Sequence, residues 1–381
     1  MKVGIITPYF DRRGGAEHRT AALVAGLKGL GHEVHLLASR WHSDLISGLH
    51  CHRVSLLPLS AAIKLRSFTW FARRTAKRLH LDITHSQGRT WGEEVATLSG
   101  GCHRAYLESL VEEAADARAV LWHDPFHKAV LEIESRQYQA CRRIIVLSQW
   151  SREGLLRYFP EVASKVVVVH NGVDCDHFNP HHRERWRTST RAELKLAEEQ
   201  TCFLFLGTGF ARKGLAEAIT AIAQGSTGET VITVIGAGDK APYQRLSTQL
   251  GIGERVRFLG SVGDPRPYLA AADALLIPSH FEPFGNAFLE AMASGLPVVL
   301  TRTCGASEII THGQEGFLAD TAYDQQALAE AVHALLDPEL RQRMGTAARA
   351  AAEAHPWSRS VEATVAVYRE ILAEKGKTGV A

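Results

Sequence analysis

Two cations stand side by side where a strand-like run gives way to a helix, in Gly207-Thr208-Gly209-Phe210-Ala211-Arg212-Lys213-Gly214. Positive side chains oppose the dipole at a helix start, and a nearby anion offsets that cost. Arginine offers a two-pronged fork and lysine a point charge. Arg212 and Lys213 therefore suit a diphosphate, against the plainer reading of two solvated surface side chains. A second stretch runs Glu282-Pro283-Phe284-Gly285-Asn286-Ala287-Phe288-Leu289-Glu290. Glu282 falls in a loop and Glu290 a turn or so inside the following helix. Even within one helix, eight residues would rotate them about 80° apart. They are not an acid/base pair on one face, but they suit two parts of one extended ligand. The N–H groups near Gly285–Ala287 can face phosphate or sugar oxygens. The plainer reading is one loop acid and one exposed helix acid.

A third segment, Gly14-Gly15-Ala16-Glu17, follows the first strand-like run. Glycines let backbone N–H groups approach an anion, and a helix start adds positive potential; a tight strand-to-helix turn is the equally weighted alternative. The segment is not G-x-G-x-x-G, and His35–Arg40 offers no acid for a ribose, which weighs against a dinucleotide cofactor. A fourth, Gly100-Gly101-Cys102-His103, predicts a histidine at a strand end, able to donate to or accept from a hydroxyl. Since 15 of the 19 histidines precede residue 183, His103 by itself reads first as structural, as do His123, His127 and His170. Asp174-Cys175-Asp176 has a D-x-D form but follows an Asn-Gly turn, so turn and capping roles are expected. Lys64–Leu81 carries six Lys/Arg among Phe68, Trp70, Phe71 and Leu79. That pattern suits a membrane-surface contact, but an ordinary helix with a solvated basic face explains it as well.

The elements that must position these residues alternate. Short apolar runs predict strands at Lys2–Thr7, Glu33–Leu37, Ile83–His85, Val95–Leu98, Ile144–Leu147 and Lys165–His170, then Thr201–Gly207, Thr230–Gly236, Arg255–Leu259, Ala274–Ile277 and Pro297–Leu300. Helical stretches fall between them, including Glu17–Leu30, Leu121–Ala140, Gly214–Gln224 and Gly285–Ala293. This predicts an α/β fold of two Rossmann-like doubly wound domains facing across a cleft. The expected domains are 1–170 with 357–381, and 171–356. A closing helix at Trp357–Glu374 either crosses back to the first domain or ends the second.

With 381 residues, 45% hydrophobic and 22% charged, the chain is a folded two-domain protein rather than a disordered or collagenous one. The net charge of +2 hides an asymmetry. Residues 1–170 carry 23 Lys+Arg against 16 Asp+Glu, and 171–381 carry 20 against 25. The six cysteines are scattered singly, which predicts a reducing compartment and no zinc site. MKVGIITPYF lacks the apolar core and cleavage site of a signal peptide. The expected location is the cytoplasm, with a peripheral contact at the anionic inner membrane left open. Nothing points to nucleic acid.

Together GGAE at 14–17, HNGVD at 170–174, GTGFARKGL at 207–215, EPFGNAFLE at 282–290 and AMASGLPVV at 291–299 resemble the family 4 retaining glycosyltransferases of the GT-B fold. Those members that build the lipopolysaccharide core also resemble this chain at GGCHRAYLE and AAADALLIPSHFEPFG. The resemblance implies a nucleotide-sugar donor held mainly by the second domain. It implies Arg212 and Lys213 at the diphosphate, Glu290 at the ribose, and Glu282 at the donor-sugar hydroxyls. Backbone N–H groups of Phe284, Gly285 and Asn286 would face sugar and phosphate. Gly14 and Gly15, with Gly209, would line the donor site, and His103 would lie near the reacting centre. UDP-glucose is the implied donor and a saccharide or lipopolysaccharide the implied acceptor, with no metal and no cofactor. A related transferase using GDP-mannose, a nucleotide-sugar epimerase and a non-catalytic sugar-binding protein of the same fold are the alternatives.

Overall fold

The computed structural model describes residues 1–11, 14–113, 122–226 and 228–378. The chain divides into two compact units, Met1–Asn171 with Trp357–Ala381, and Gly172–Pro356.

The first unit is built on seven parallel strands. They are β1 (Lys2–Ile6), β2 (Glu33–Ala38), β3 (His50–Arg53), β4 (Ile83–Ser86), β5 (Val95–Thr97), β6 (Arg143–Val146) and β7 (Val166–Val168), in the order β3-β2-β1-β4-β5-β6-β7. Helices on both faces turn the inner strands into near-continuous apolar runs, while the edge strand β3 stays half-exposed. Val3, Ile5, Leu36, Ile83, Val95, Ile144 and Ile145 are all fully buried. Strand order reverses between β1 and β4, the switch point of a doubly wound sheet. The chain leaving β1 there enters the Gly15–Gly29 helix, with extended Gly14 as its N-cap.

The final helix, Trp357–Thr378, belongs to this unit. Its Val361, Val365, Tyr368 and Ile371 join Leu23, Val24 and Leu27 of the Gly15–Gly29 helix in one core cluster. Tyr368 is fully buried, and its hydroxyl lies 2.6 Å from His85 Nδ1 on β4. Arg143 on β6 pairs with Glu374. These contacts decide between the two readings of the closing helix in favour of the return to the first unit.

The second unit repeats the plan. Its strands are β8 (Thr201–Leu206), β9 (Thr230–Ile235), β10 (Val256–Gly260), β11 (Ala274–Ile277), β12 (Val298–Thr301) and β13 (Gly316–Ala319). All are parallel, in the order β10-β9-β8-β11-β12-β13. Phe203, Phe205, Ile232, Leu275, Val298 and Val299 are buried to within 1%. The switch point lies between β8 and β11.

The buried polar group that ties this unit together is Asp273, just before β11. Its carboxylate accepts from Arg187 at 2.8 Å, from Arg191 at 3.3 Å and from the Cys202 N–H at 2.8 Å, with Arg183 3.6 Å away. Asp174 does what a turn acid should: its Oδ1 accepts from the N–H groups of Asp176 and His177.

Candidate donor and acceptor sites

The two loops that leave β8 and β11 flank the switch point of the second unit, and they carry the charged residues. The first loop, 207–214, is shaped by its glycines. Gly214 caps the Leu215–Gly225 helix in the left-handed region, at φ 72°. A side chain there would put its Cβ 1.9 Å from the Pro278 carbonyl oxygen. Gly207 leaves room for the stem of Lys213, whose Cε would lie 2.5 Å from a Cβ at that position. Arg212 and Lys213 precede the helix cap, and the helix opens at Leu215, one residue after the expected Gly214. Gly209 accepts the Lys213 N–H through its carbonyl at 3.1 Å.

The anion that offsets these cations belongs to the protein. Arg212 donates to the Phe281 carbonyl at 2.6 Å and to Glu282 Oε2 at 3.0 Å, and Lys213 Nζ is 3.0 Å from the same oxygen. Both partners are largely enclosed, with Lys213 8% exposed. Burial would raise the Glu282 carboxyl, but Lys213 and Arg212 outweigh it and hold it down at about 2. The loop around Glu282 is fixed by backbone bonds: its N–H donates to Thr303, and its carbonyl accepts from Gly305.

Gly285, at φ 93°, caps the Asn286–Ala293 helix. Phe284 is buried, its carbonyl accepting from the Ala306 N–H, while Gly285 and Asn286 are half-buried at the helix start. Glu290 lies on the same helix, half-buried. Burial pushes its carboxyl up to about 7, with Lys213 partly opposing. That value lies above the unfolded one, near 4.3. The folded chain therefore binds more protons, and stability falls as pH rises from about 4.5 to 7. Glu290→Gln should remove that slope. Melting curves of the variant and the parent should coincide near pH 4 and separate towards pH 8, with the variant the more stable. Parallel curves would contradict the placement of Glu290.

In the first unit, Gly14 and Gly15 open the helix at the switch point. The Gly14 carbonyl accepts from the His18 N–H. Four residues on, Arg19 is 2% exposed and donates to Asn171 Oδ1 at 2.9 Å and Gln87 Oε1 at 2.8 Å. Burial lowers its guanidinium to about 10. No motif in the sequence marks Arg19, although it shares the helical stripe of Leu23 and Leu27. A charge on an apolar stripe is the signal that finds it.

His103 is not at a strand end. It opens the His103–Glu113 helix and is 4% exposed. Its N–H donates to Glu134 Oε2, and its Nε2 is 2.9 Å from His127 Nδ1. Glu134 in turn pairs with Arg89 at 3.0 Å. Burial, then Arg89 and His127, lower His103 to about 3, so it is a neutral imidazole at ordinary pH. Its companion helix spans Pro125–Ala140; the expected start at Leu121 lies outside the described residues. Arg89 and Glu134 are 45 residues apart, and no local pattern in the sequence joins them.

Two family profiles match in tandem: Glycosyltransferase Family 4 over residues 13–177 and Glycosyl transferases group 1 over residues 187–351. The chain is a group 1 glycosyltransferase. It transfers sugars on two Rossmann-like units of the GT-B kind. An uncharacterized glycosyltransferase of Methanocaldococcus jannaschii is 28% identical over 99% of this chain and 100% of its own length. The D-inositol 3-phosphate glycosyltransferase of Streptomyces scabiei is 32% identical over 62% of this chain, which spans 55% of that enzyme's length. Among solved structures, WaaG, a glycosyltransferase involved in lipopolysaccharide biosynthesis, superposes with a TM-score of 0.81 at 20% identity, covering 96% of this chain and 99% of its own. Anabaena HepE in complex with UDP and glucose gives 0.73 at 20% identity, covering 97% and 99%. At that identity the structural likeness speaks for the fold.

Proposed function

We propose that this glycosyltransferase moves glucose from UDP-glucose to a saccharide or glycolipid hydroxyl, with retention at the anomeric carbon and without a metal ion, and that its acceptor is the lipopolysaccharide inner core. The observation that carries the donor half is the joining of Arg212 and Lys213 on one carboxylate at the second unit's switch point. Support for the sugar comes from HepE, whose structure holds UDP-glucose, and for the acceptor from the likeness to WaaG.

The chemistry follows from where charge develops. Breaking the bond between the anomeric carbon and the phosphate oxygen leaves an electron pair on the diphosphate. Arg212 and Lys213 meet that charge, helped by the N–H groups around Phe284, Gly285 and Asn286 and by Gly209. Glu282 orients the two cations and turns its carboxylate to the sugar hydroxyls, while Glu290 takes the ribose. The acceptor hydroxyl attacks from the face the diphosphate leaves, and a phosphate oxygen takes its proton. His103 is neutral, so it positions a hydroxyl and does not deliver a proton as an imidazolium. No carboxylate is assigned as a nucleophile.

The basic Ala61–Arg78 helix presents Lys64, Arg73, Arg74, Lys77 and Arg78 to solvent with Trp70, 53% exposed, among them. It suits the anionic surface that carries a glycolipid acceptor. Among the described residues, no helix is long and apolar enough to cross a membrane. Binding to anionic vesicles should weaken steeply as salt is raised; salt-independent binding would speak against this face.

A melting-temperature panel of UDP-, GDP- and ADP-sugars tests the donor. A ligand that binds the folded state raises the transition by mass action. UDP-glucose should give the largest shift. A larger shift with GDP-mannose would reassign the donor, and a flat panel would overturn the reading.

A further inference from the structure

Three imidazoles and one carboxylate meet at the edge of the first sheet, away from the groups used above. In the β2–β3 ladder His35 is in register with His50, and Leu37 with His52. His50 and His52, two residues apart, thus share the face of His35. The three rings stack: His35 lies 4.8 Å from His50 and 5.1 Å from His52, at 22° and 4°. Glu33 projects into the same place. Its Oε1 is 2.9 Å from His35 Nε2 and 3.9 Å from His50 Nε2. One donor atom from each of Glu33, His35 and His50 lies within 4.8 Å of the others.

We propose that Glu33, His35 and His50 bind one divalent transition-metal ion of the imidazole-preferring kind, such as Zn2+. Bonds of about 2.1 Å at tetrahedral angles separate donor atoms by about 3.4 Å, and these atoms bracket that spacing. His50 is 60% exposed, so rotation of its side chain completes the fit without moving the sheet. His35 is buried and already oriented, because its Nδ1 is 2.9 Å from His52 Nε2. A hydrogen bond to that side of the ring leaves Nε2 to face the ion, the usual support for a metal-bound histidine. Lys2 Nζ also lies 3.9 Å from Glu33 Oε1, but it is 54% exposed and free to swing away. Two imidazoles and a carboxylate favour zinc, nickel or copper over calcium or magnesium.

The cluster lies at the amino ends of β2 and β3, whereas ligands of open α/β sheets bind at the carboxyl ends. The ion is therefore a clip. It fastens β3, a four-residue edge strand, to β2 beside it.

Calorimetric titration of Zn2+ into the tag-free, metal-stripped full chain tests this. One tight site is expected. His50→Ala should weaken it at least tenfold, and His52→Ala, which removes the supporting bond and the ring stacked on His35, by about 10- to 100-fold. Cobalt should give the visible bands of a low-symmetry site in the parent and not in His50→Ala. Glu33→Gln gives a second, independent loss. His50 is exposed, so circular dichroism of that variant should match the parent. Absence of stoichiometric binding, or affinity within twofold of the parent in both His50→Ala and Glu33→Gln, would overturn the proposal.

Discussion

Replacing Arg212 and Lys213 together by alanine should lower kcat/KM for sugar transfer by more than about a thousandfold. Removing a single preorganised donor from a developing oxyanion typically costs about a hundred- to a thousandfold, and here two cations go. The loss has to be separated from damage to the loop. Glu282 is held at about 2 by these cations, and without them it becomes an enclosed carboxylate with no counter-charge. Such a charge costs stability or takes up a proton. The triple variant Arg212→Ala, Lys213→Ala, Glu282→Gln removes the stranded charge. It should melt close to the parent and still fail to transfer sugar. Recovery of transfer in the triple variant would mean that the cations serve only to neutralise Glu282.

The second large effect concerns stability. Asp273→Ala should destabilise the second unit by about 3–5 kcal/mol, the usual cost of removing one partner from a buried ion pair. Asp273 is 6% exposed and gathers Arg187 and Arg191 while accepting the Cys202 N–H. Its loss leaves two guanidiniums without their carboxylate and a backbone donor at the start of β8 without its acceptor. A shift on the order of 10 °C is expected for a unit of this size, read as the unfolding transition of Gly172–Pro356. An unchanged transition would mean that the carbonyls of Ala270, Ala271 and Ala272, which Arg187 also reaches, suffice on their own.

Most strands were legible because a parallel sheet covered on both faces writes itself as apolar runs. β8, β9 and β11 stand within a residue of where those runs put them. β3 escaped because its sequence, His-Cys-His-Arg, is that of a half-exposed edge, and polar residues hide the period. His103 was misplaced because Gly100-Gly101 marks the end of a turn as readily as the end of a strand; the structure uses it to begin a helix. The cation pair was legible through its conflict with the helix dipole. Its partner was not, because Glu282 is 70 residues away and only the neighbouring positions of β8 and β11 bring the two loops together. For the same reason Arg89, Glu134 and His127 around His103 could not be foreseen from spacing. Residue types announce a charge that needs company, but the topology of the sheet decides what provides it.

In the proposed mechanism the second unit holds the nucleotide diphosphate through Arg212 and Lys213. Calorimetric titration of UDP into the parent and into the Arg212→Ala, Lys213→Ala, Glu282→Gln variant tests it most directly, since no acceptor is needed. Saturable one-to-one binding by the parent and at least a hundredfold weaker binding by the folded variant is the predicted result. Equal affinity in the two proteins would contradict it.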